Sequence, residues 1–254
     1  MNAALRHRLA ESRMGFLILT RIPVGTITGT VPTMAQSAWS WPLVGLAVGA
    51  VSAAVWLAAL ALGLPPFSAA TVSILAGTLA TGALHEDGLA DLADGIFGGR
   101  DPAGRLAIMR DSRIGSYGAL ALGFSLILRI GALATLAGGT GAWVLIGLAA
   151  ASRAGLPMAL RRMPAARSDG LGNAACGVSG SVAGVALALG FVALLPLGPG
   201  AALAVGAVMA ALAFALGCLA LSRIGGQTGD VLGAMSQLSE MGGWLVAAAL
   251  LRPH

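Results

Sequence analysis

A length of 254 residues would allow one or two soluble domains, but 57% of the chain is hydrophobic and only 10% is charged, against about 25% charged in a soluble domain. With a mean hydropathy of +0.87, the chain reads as all-α, a polytopic membrane helical bundle whose single membrane domain covers 1–254. The net charge of +5 comes from fifteen arginines and no lysine, which excludes a P-loop lysine, a Schiff-base lysine and a Ser-Lys pair.

Arginines spread over loops that flank apolar spans follow the positive-inside bias. No compositional cue for nucleic-acid binding is present, so no nucleic acid is expected as a partner; the lipid bilayer is. Cys176 and Cys218 lack CxxC or His spacing. They read as small buried residues, with neither a zinc site nor a disulfide framework.

In chain order, residues 1–38 begin basic (Arg6, His7, Arg8, Arg13) and carry a short apolar run broken by Arg21 and Pro23. That run is too short and too charged for a signal peptide. The segment reads as a cytoplasmic amphipathic or re-entrant piece lying against the bundle.

Seven spans of near the ~20 residues needed to cross a bilayer follow. They are expected at about 40–63, 67–84, 115–137, 142–160, 178–197, 200–221 and 231–251. Loops 64–66, 137–141 and 197–200 carry no charge. The N-terminus and loops 85–114, 161–173 and 222–230 carry nearly all the arginines, which places them together on the cytoplasmic side. Gly45 and Gly49, at GxxxG-like spacing, predict close helix packing. The last helix has a polar first half containing Gln237 and Glu240.

Polar chemistry concentrates between His85 and Gly118. Six of the ten acidic residues fall there, with four arginines, so 85–114 is expected to be a cytoplasmic active-site loop. Asp87, Asp91 and Asp94 are spaced i, i+4, i+7, within about 60° of one face if helical. Carboxylates on one face at a membrane boundary are costly, and an oxygen-only set of this kind suits Mg²⁺ or Mn²⁺ completed by waters and substrate phosphates. These three are the candidate metal ligands.

Asp101-Pro102 reads as the N-cap and N1 of a short helix over 102–113. That helix would bring Arg105, Arg110 and Arg113, with Asp111 among them, to the same surface. Arginine beside a carboxylate–metal cluster is what transfer of an anionic phosphoryl group requires. His85 is a candidate ligand or proton carrier. The Gly-rich stretch GGQTGD, holding Gln227, Thr228 and Asp230, can cradle a phosphate with backbone N–H groups or simply turn the chain. Asp230, Gln237 and Glu240 share a helical face and argue for a polar cavity. Arg129 and Arg153 lie within spans, where arginine is functional by default; Arg153 is placed to reach the acidic site.

The stretches HEDGLADLADG and IMRDSRIGSYG together resemble the signature of the cobalamin synthase family, the adenosylcobinamide-GDP ribazoletransferases. The likeness extends to FLILTRIPVG and to GQTGDVLGA with Gln237 and Glu240, covering about residues 16–241 in order. It implies a multi-pass protein of the bacterial inner membrane. That protein would join adenosylcobinamide-GDP to α-ribazole or its 5′-phosphate with Mg²⁺ and release GMP.

On that resemblance, Asp87, Asp91 and Asp94 hold the metal, with Asp111 or Asp230 in support. Arg110 and Arg113 neutralise GMP, a carboxylate or His85 takes the ribazole proton, and Arg153, Gln227, Thr228 and Asp230 contact substrate. A homo-oligomer and association with other enzymes of nucleotide-loop assembly stay open. A lipid phosphotransferase of the CDP-alcohol type is the competing enzyme, but its D-G-x-x-A-R pattern is absent. A transporter would instead need its charges near the bilayer midplane.

Overall fold

Local sequence signals set most of the helix ends. The computed structural model describes residues 3–252. Helix α1 (Ala3–Leu19) is followed by an extended stretch and by α2 (Met34–Ser37), which a Thr33–Gln36 capping box opens by satisfying two orphan backbone donors. One 3-10 turn links α2 to α3 (Trp41–Ala61). Helix α4 (Pro66–Thr81) stops at Gly82, whose φ of 66° terminates it. Ala83 also adopts a positive φ, 61°, and α5 (Leu84–Gly98) leaves at 89° to α4.

Helix α6 (Pro102–Ile108) starts as expected, with Asp101 accepting the Gly104 N–H. It ends five residues short of the expected 113, in a turn. Next come α7 (Ser116–Ala134), α8 (Gly138–Ala154), α9 (Leu156–Arg162), α10 (Gly170–Ala174), α11 (Gly180–Leu194), α12 (Pro199–Ile224) and α13 (Gly229–Leu251). Among the described residues the only β-pairing is an isolated parallel bridge between Ala165 and Gln227.

Five segments are long and apolar enough to cross a membrane: Met34–Ala61, Ser116–Ala134, Gly138–Arg162, Gly180–Leu197 and Pro199–Ile224. The bent pair α4–α5 makes a sixth, broken span. With the more polar, 23-residue α13, this gives the seven expected segments of an all-α, multi-pass membrane protein. The second segment departs from expectation. Its apolar part ends at Thr81, and residues 85–98, expected as loop, continue it as helix. The two cysteines, expected to be buried, are exposed.

Helix α13 runs through the centre, against α12, α5, α7 and α8, so its polar side chains face inward. Two apolar layers result. One gathers Trp41, Val44, Leu92, Met109, Leu160 and Val231; the other gathers Trp56, Ile74, Leu133, Leu145, Met209 and Trp244. Helix α3 lies flush on α8 because Gly45 and Gly49 have no side chains. A Cβ at Gly45 would collide with the Ala149 carbonyl oxygen, and one at Gly49 would lie 2.6 Å from the Ile146 Cα. The GxxxG expectation thus holds.

Gly45→Val should therefore destabilise the detergent-purified protein by about 1–3 kcal/mol, the usual cost of overpacking, read as a lower midpoint of SDS-induced unfolding. Gly139→Ala, where an added Cβ meets nothing within 4 Å, should leave the midpoint unchanged.

Candidate active site

Two polar centres share helix α5. The inner one lies between the apolar layers, at the α4–α5 break. His85, Glu86, Arg129, Arg153, Gln237 and Glu240 line a chamber there with Ser52 of α3. Arg129 is its hub. One guanidinium nitrogen donates to Glu86 Oε1 at 3.2 Å and Gln237 Oε1 at 2.9 Å, and the other donates to Glu240 Oε1 at 3.2 Å. The second Glu240 oxygen accepts from the Ser152 hydroxyl at 3.3 Å. Arg153 donates to the Ala149 carbonyl oxygen at 2.7 Å.

Two arginines face two glutamates, so burial leaves little uncompensated charge. His85 Nε2, Glu86 Oε2 and Arg153 Nε are buried without a protein partner. The chamber's volume of about 30 Å³ has room for one or two waters. His85 and Arg153 were expected at the acidic site; the structure buries both here, at 2% and 4% exposure. Of the polar cavity expected along Asp230, Gln237 and Glu240, the last two line this chamber and Asp230 lies outside it.

The outer centre forms where α5 meets the start of α13. Gly88 and Gly233 let the two backbones touch, since a Cβ on Gly233 would lie 3.3 Å from the Gly88 Cα and one on Gly88 would lie 2.9 Å from the Asp230 carbonyl oxygen. Asp230 is thereby brought beside Asp87 and Asp91. Asp87 is exposed and Asp91 half-buried. The negative charges of Asp87, Asp230 and Asp94 all act on Asp91, opposed by the Arg167 guanidinium. Arg167 donates to Asp230 Oδ2 at 2.6 Å, and the Thr228 hydroxyl donates to the same oxygen at 3.2 Å.

Asp94 stands apart from the role expected for it. Its two oxygens accept the backbone N–H groups of Gly115 at 2.7 Å and Gly118 at 2.9 Å. The carboxylate thus caps the N-terminus of α7, where orphan donors and the helix dipole favour an anion. Glycine is needed at both positions, because a Cβ on either would run into that carboxylate.

Of the expected triad Asp87, Asp91 and Asp94, the last is the one whose oxygens are both engaged by backbone N–H groups. Among the described residues, no three Asp, Glu, His or Cys side chains are grouped to enclose an ion. Asp87, Asp91 and the Arg167-paired Asp230 make an oxygen-only set. It fits Mg²⁺, which uses one or two carboxylates and draws its other ligands from water and phosphate.

The other expected contacts are redistributed. Gln227 is fully buried; its side-chain nitrogen donates to the Gly172 carbonyl oxygen at 3.0 Å. Its backbone pairs with Pro164 and Ala166. It ties two loops together and has no surface to offer a substrate. Thr228 is the N-cap of α13, accepting the Val231 N–H. Arg110 makes a two-pronged pair with Asp169, at 2.6 and 2.7 Å, that links the loop after α6 to the loop before α10. Arg113 is paired with Asp111 at 2.7 Å; its hydrogen bonds hold that carboxyl down at about 2.

Residues 11–248 match the family model described as cobalamin-5-phosphate synthase. The chain belongs to that family. Curated relatives named adenosylcobinamide-GDP ribazoletransferase match it over nearly their full lengths. The one from Mesorhizobium japonicum is 41% identical, covering 97% of this chain and 95% of its own. That from Bradyrhizobium diazoefficiens is 44% identical, covering 96% and 95%. The Azorhizobium caulinodans protein is 44% identical, covering 98% and 100%. No solved structure matches the chain.

Arg167 and Glu86 are the two site residues that the sequence did not single out, whereas Arg129 was open to a structural partner and has one in Glu86 and Glu240. Arg167 sits in a loop rich in arginine, which hides it. The signal for Glu86 was its position beside Asp87 but one residue off the aspartate face.

Arg129→Leu should cost about 3–5 kcal/mol, because it strands two buried glutamates. Adding Glu86→Gln and Glu240→Gln to that variant should recover part of the loss, both read by SDS-induced unfolding.

Proposed function

We propose that the chain is an adenosylcobinamide-GDP ribazoletransferase, and that it completes the nucleotide loop of cobalamin by joining adenosylcobinamide-GDP to α-ribazole or its 5′-phosphate with release of GMP. The observation that carries this reading is the near-full-length identity to relatives of that name. The cluster of carboxylates at the α5–α13 contact supports it as a place for the chemistry. The arginine-rich loops around it support a cytoplasmic face by the positive-inside bias, and the reading takes the membrane to be the bacterial inner membrane.

A substrate with two adjoining phosphates brings at least two negative charges to a surface that already carries Asp87, Asp91 and Asp230. Cations must offset that repulsion. Asp87, Asp91 and Asp230 would hold Mg²⁺, which supplies charge neutralisation and alignment of the phosphate oxygens. Asp94 holds α7 against α5 and so keeps that surface in place. The ribazole hydroxyl oxygen attacks the cobinamide-side phosphorus, forming the new P–O bond. The bond from that phosphorus to the bridging oxygen breaks, and its electron pair leaves with GMP. The hydroxyl proton passes to a carboxylate of the same cluster.

The deciding experiment is GMP release by the detergent-purified protein given adenosylcobinamide-GDP and α-ribazole 5′-phosphate. Release matched one-to-one by a cobalamin product is expected, with loss on chelation by EDTA and recovery on adding Mg²⁺. Asp87→Asn should lower kcat at least ~100-fold, the scale of losing one electrostatic group at a reacting phosphate, while its SDS unfolding midpoint stays near wild type. Near-normal turnover by that variant would remove Asp87 from the site.

A further inference from the structure

The reading of sequence and family assigned leaving-group neutralisation to Arg110 and Arg113. The structure engages both elsewhere: Arg110 with Asp169 and Arg113 with Asp111, each pair at the surface. Arg167 is the guanidinium that acts on Asp91 and Asp230, and its pair with Asp230 is mostly shielded, at 16% and 20% side-chain exposure. We propose that Arg167 is a catalytic residue of the transfer, binding the guanylyl-side phosphate and stabilising the negative charge that develops on the departing GMP oxygen.

The geometry explains how a residue now paired with Asp230 becomes available. Asp230 stands beside Asp87 and Asp91 at the α5–α13 contact, so it is a donor a divalent cation would draw on. Asp230 would be one of the residues to hold the cation that accompanies a diphosphate, leaving the Arg167 guanidinium to phosphate oxygens with charge matched on both. Arginine suits the exchange because its planar fork accommodates carboxylate and phosphate alike.

Arg167 is also anchored close by. Ala166 donates its backbone N–H to the Gln227 carbonyl oxygen at 2.8 Å, and Gln227 lies three residues before Asp230. The buried Gln227 staple thus fixes the arginine's backbone relative to the α13 N-terminus. In the transfer, the bond from the hydroxyl oxygen to the cobinamide-side phosphorus forms as the bond to the bridging oxygen breaks. That oxygen takes the electron pair and carries the new charge, and the hydroxyl proton goes to a carboxylate of the cluster. Arg167 neutralises the new charge without itself changing protonation.

The proposal rests on the ribazoletransferase reading, so wild-type and variant proteins are compared in one assay of GMP release. Arg167→Ala should lower kcat by ~100-fold or more, as loss of a charge-stabilising donor does, with a lowered SDS unfolding midpoint that still leaves the protein folded under assay conditions. Guanidinium chloride at tens of millimolar should restore a measurable part of the lost rate in Arg167→Ala while leaving wild type unaffected. Arg167→Lys should keep more activity than Arg167→Ala.

A kcat within about threefold of wild type, less than half a decade in rate, would overturn the role. So would loss of activity tracking loss of fold, or a folded, slow variant with no response to guanidinium. A folded wild-type protein that releases no GMP would instead overturn the transferase reading itself, and the role of Arg167 with it.

Discussion

An arginine in the middle of a membrane bundle must be matched there, and this requirement organises the whole molecule. Arg129 reaches Glu86 on α5 and both Gln237 and Glu240 on α13, so three helices are registered against one guanidinium. The two apolar layers on either side are non-directional; they would tolerate sliding that the ion pairs do not. In a low-dielectric setting an unpaired charge costs several kcal/mol. The depth of Glu86, and with it the path of α5, therefore follows from the position of Arg129.

That path explains why the second span is broken. A straight continuation of α4 would carry Glu86 and three aspartates onward as one rod. Gly82 and Ala83, both at positive φ, instead turn the chain so that α5 starts beside Arg129 and ends at the N-terminus of α7. Its first residues serve the buried chamber and its next ones open toward the acidic cluster. One short helix thus divides its acids between structure and chemistry: Glu86 and Asp94 are spent on holding α7, whereas Asp87 and Asp91 stay available.

Much of this was legible in the sequence where the signal is local or periodic. Asp101-Pro102 announced its helix start, Gly45 and Gly49 their close contact, and the i, i+4, i+7 aspartates a common face. The polar first half of α13 announced an inward-facing side. Periodicity states which residues share a face but not what that face meets. The partners of Asp94 lie 21 and 24 residues away, and that of Arg110 lies 59 away; only folding decides such pairs. For the same reason Gln227 and Thr228 were read as substrate contacts. A Gly-rich turn looks alike whether its side chains face a phosphate or, as here, a neighbouring loop and a helix cap.

The hub arginine also sets an order of assembly. Glu86 precedes Arg129 by 43 residues, whereas Glu240 follows it by 111. At a synthesis rate of about 5–20 residues per second, Glu240 is made on the order of ten seconds after Arg129. Of the two carboxylates that Arg129 needs, the one on the broken helix is therefore made before it and the one on α13 well after.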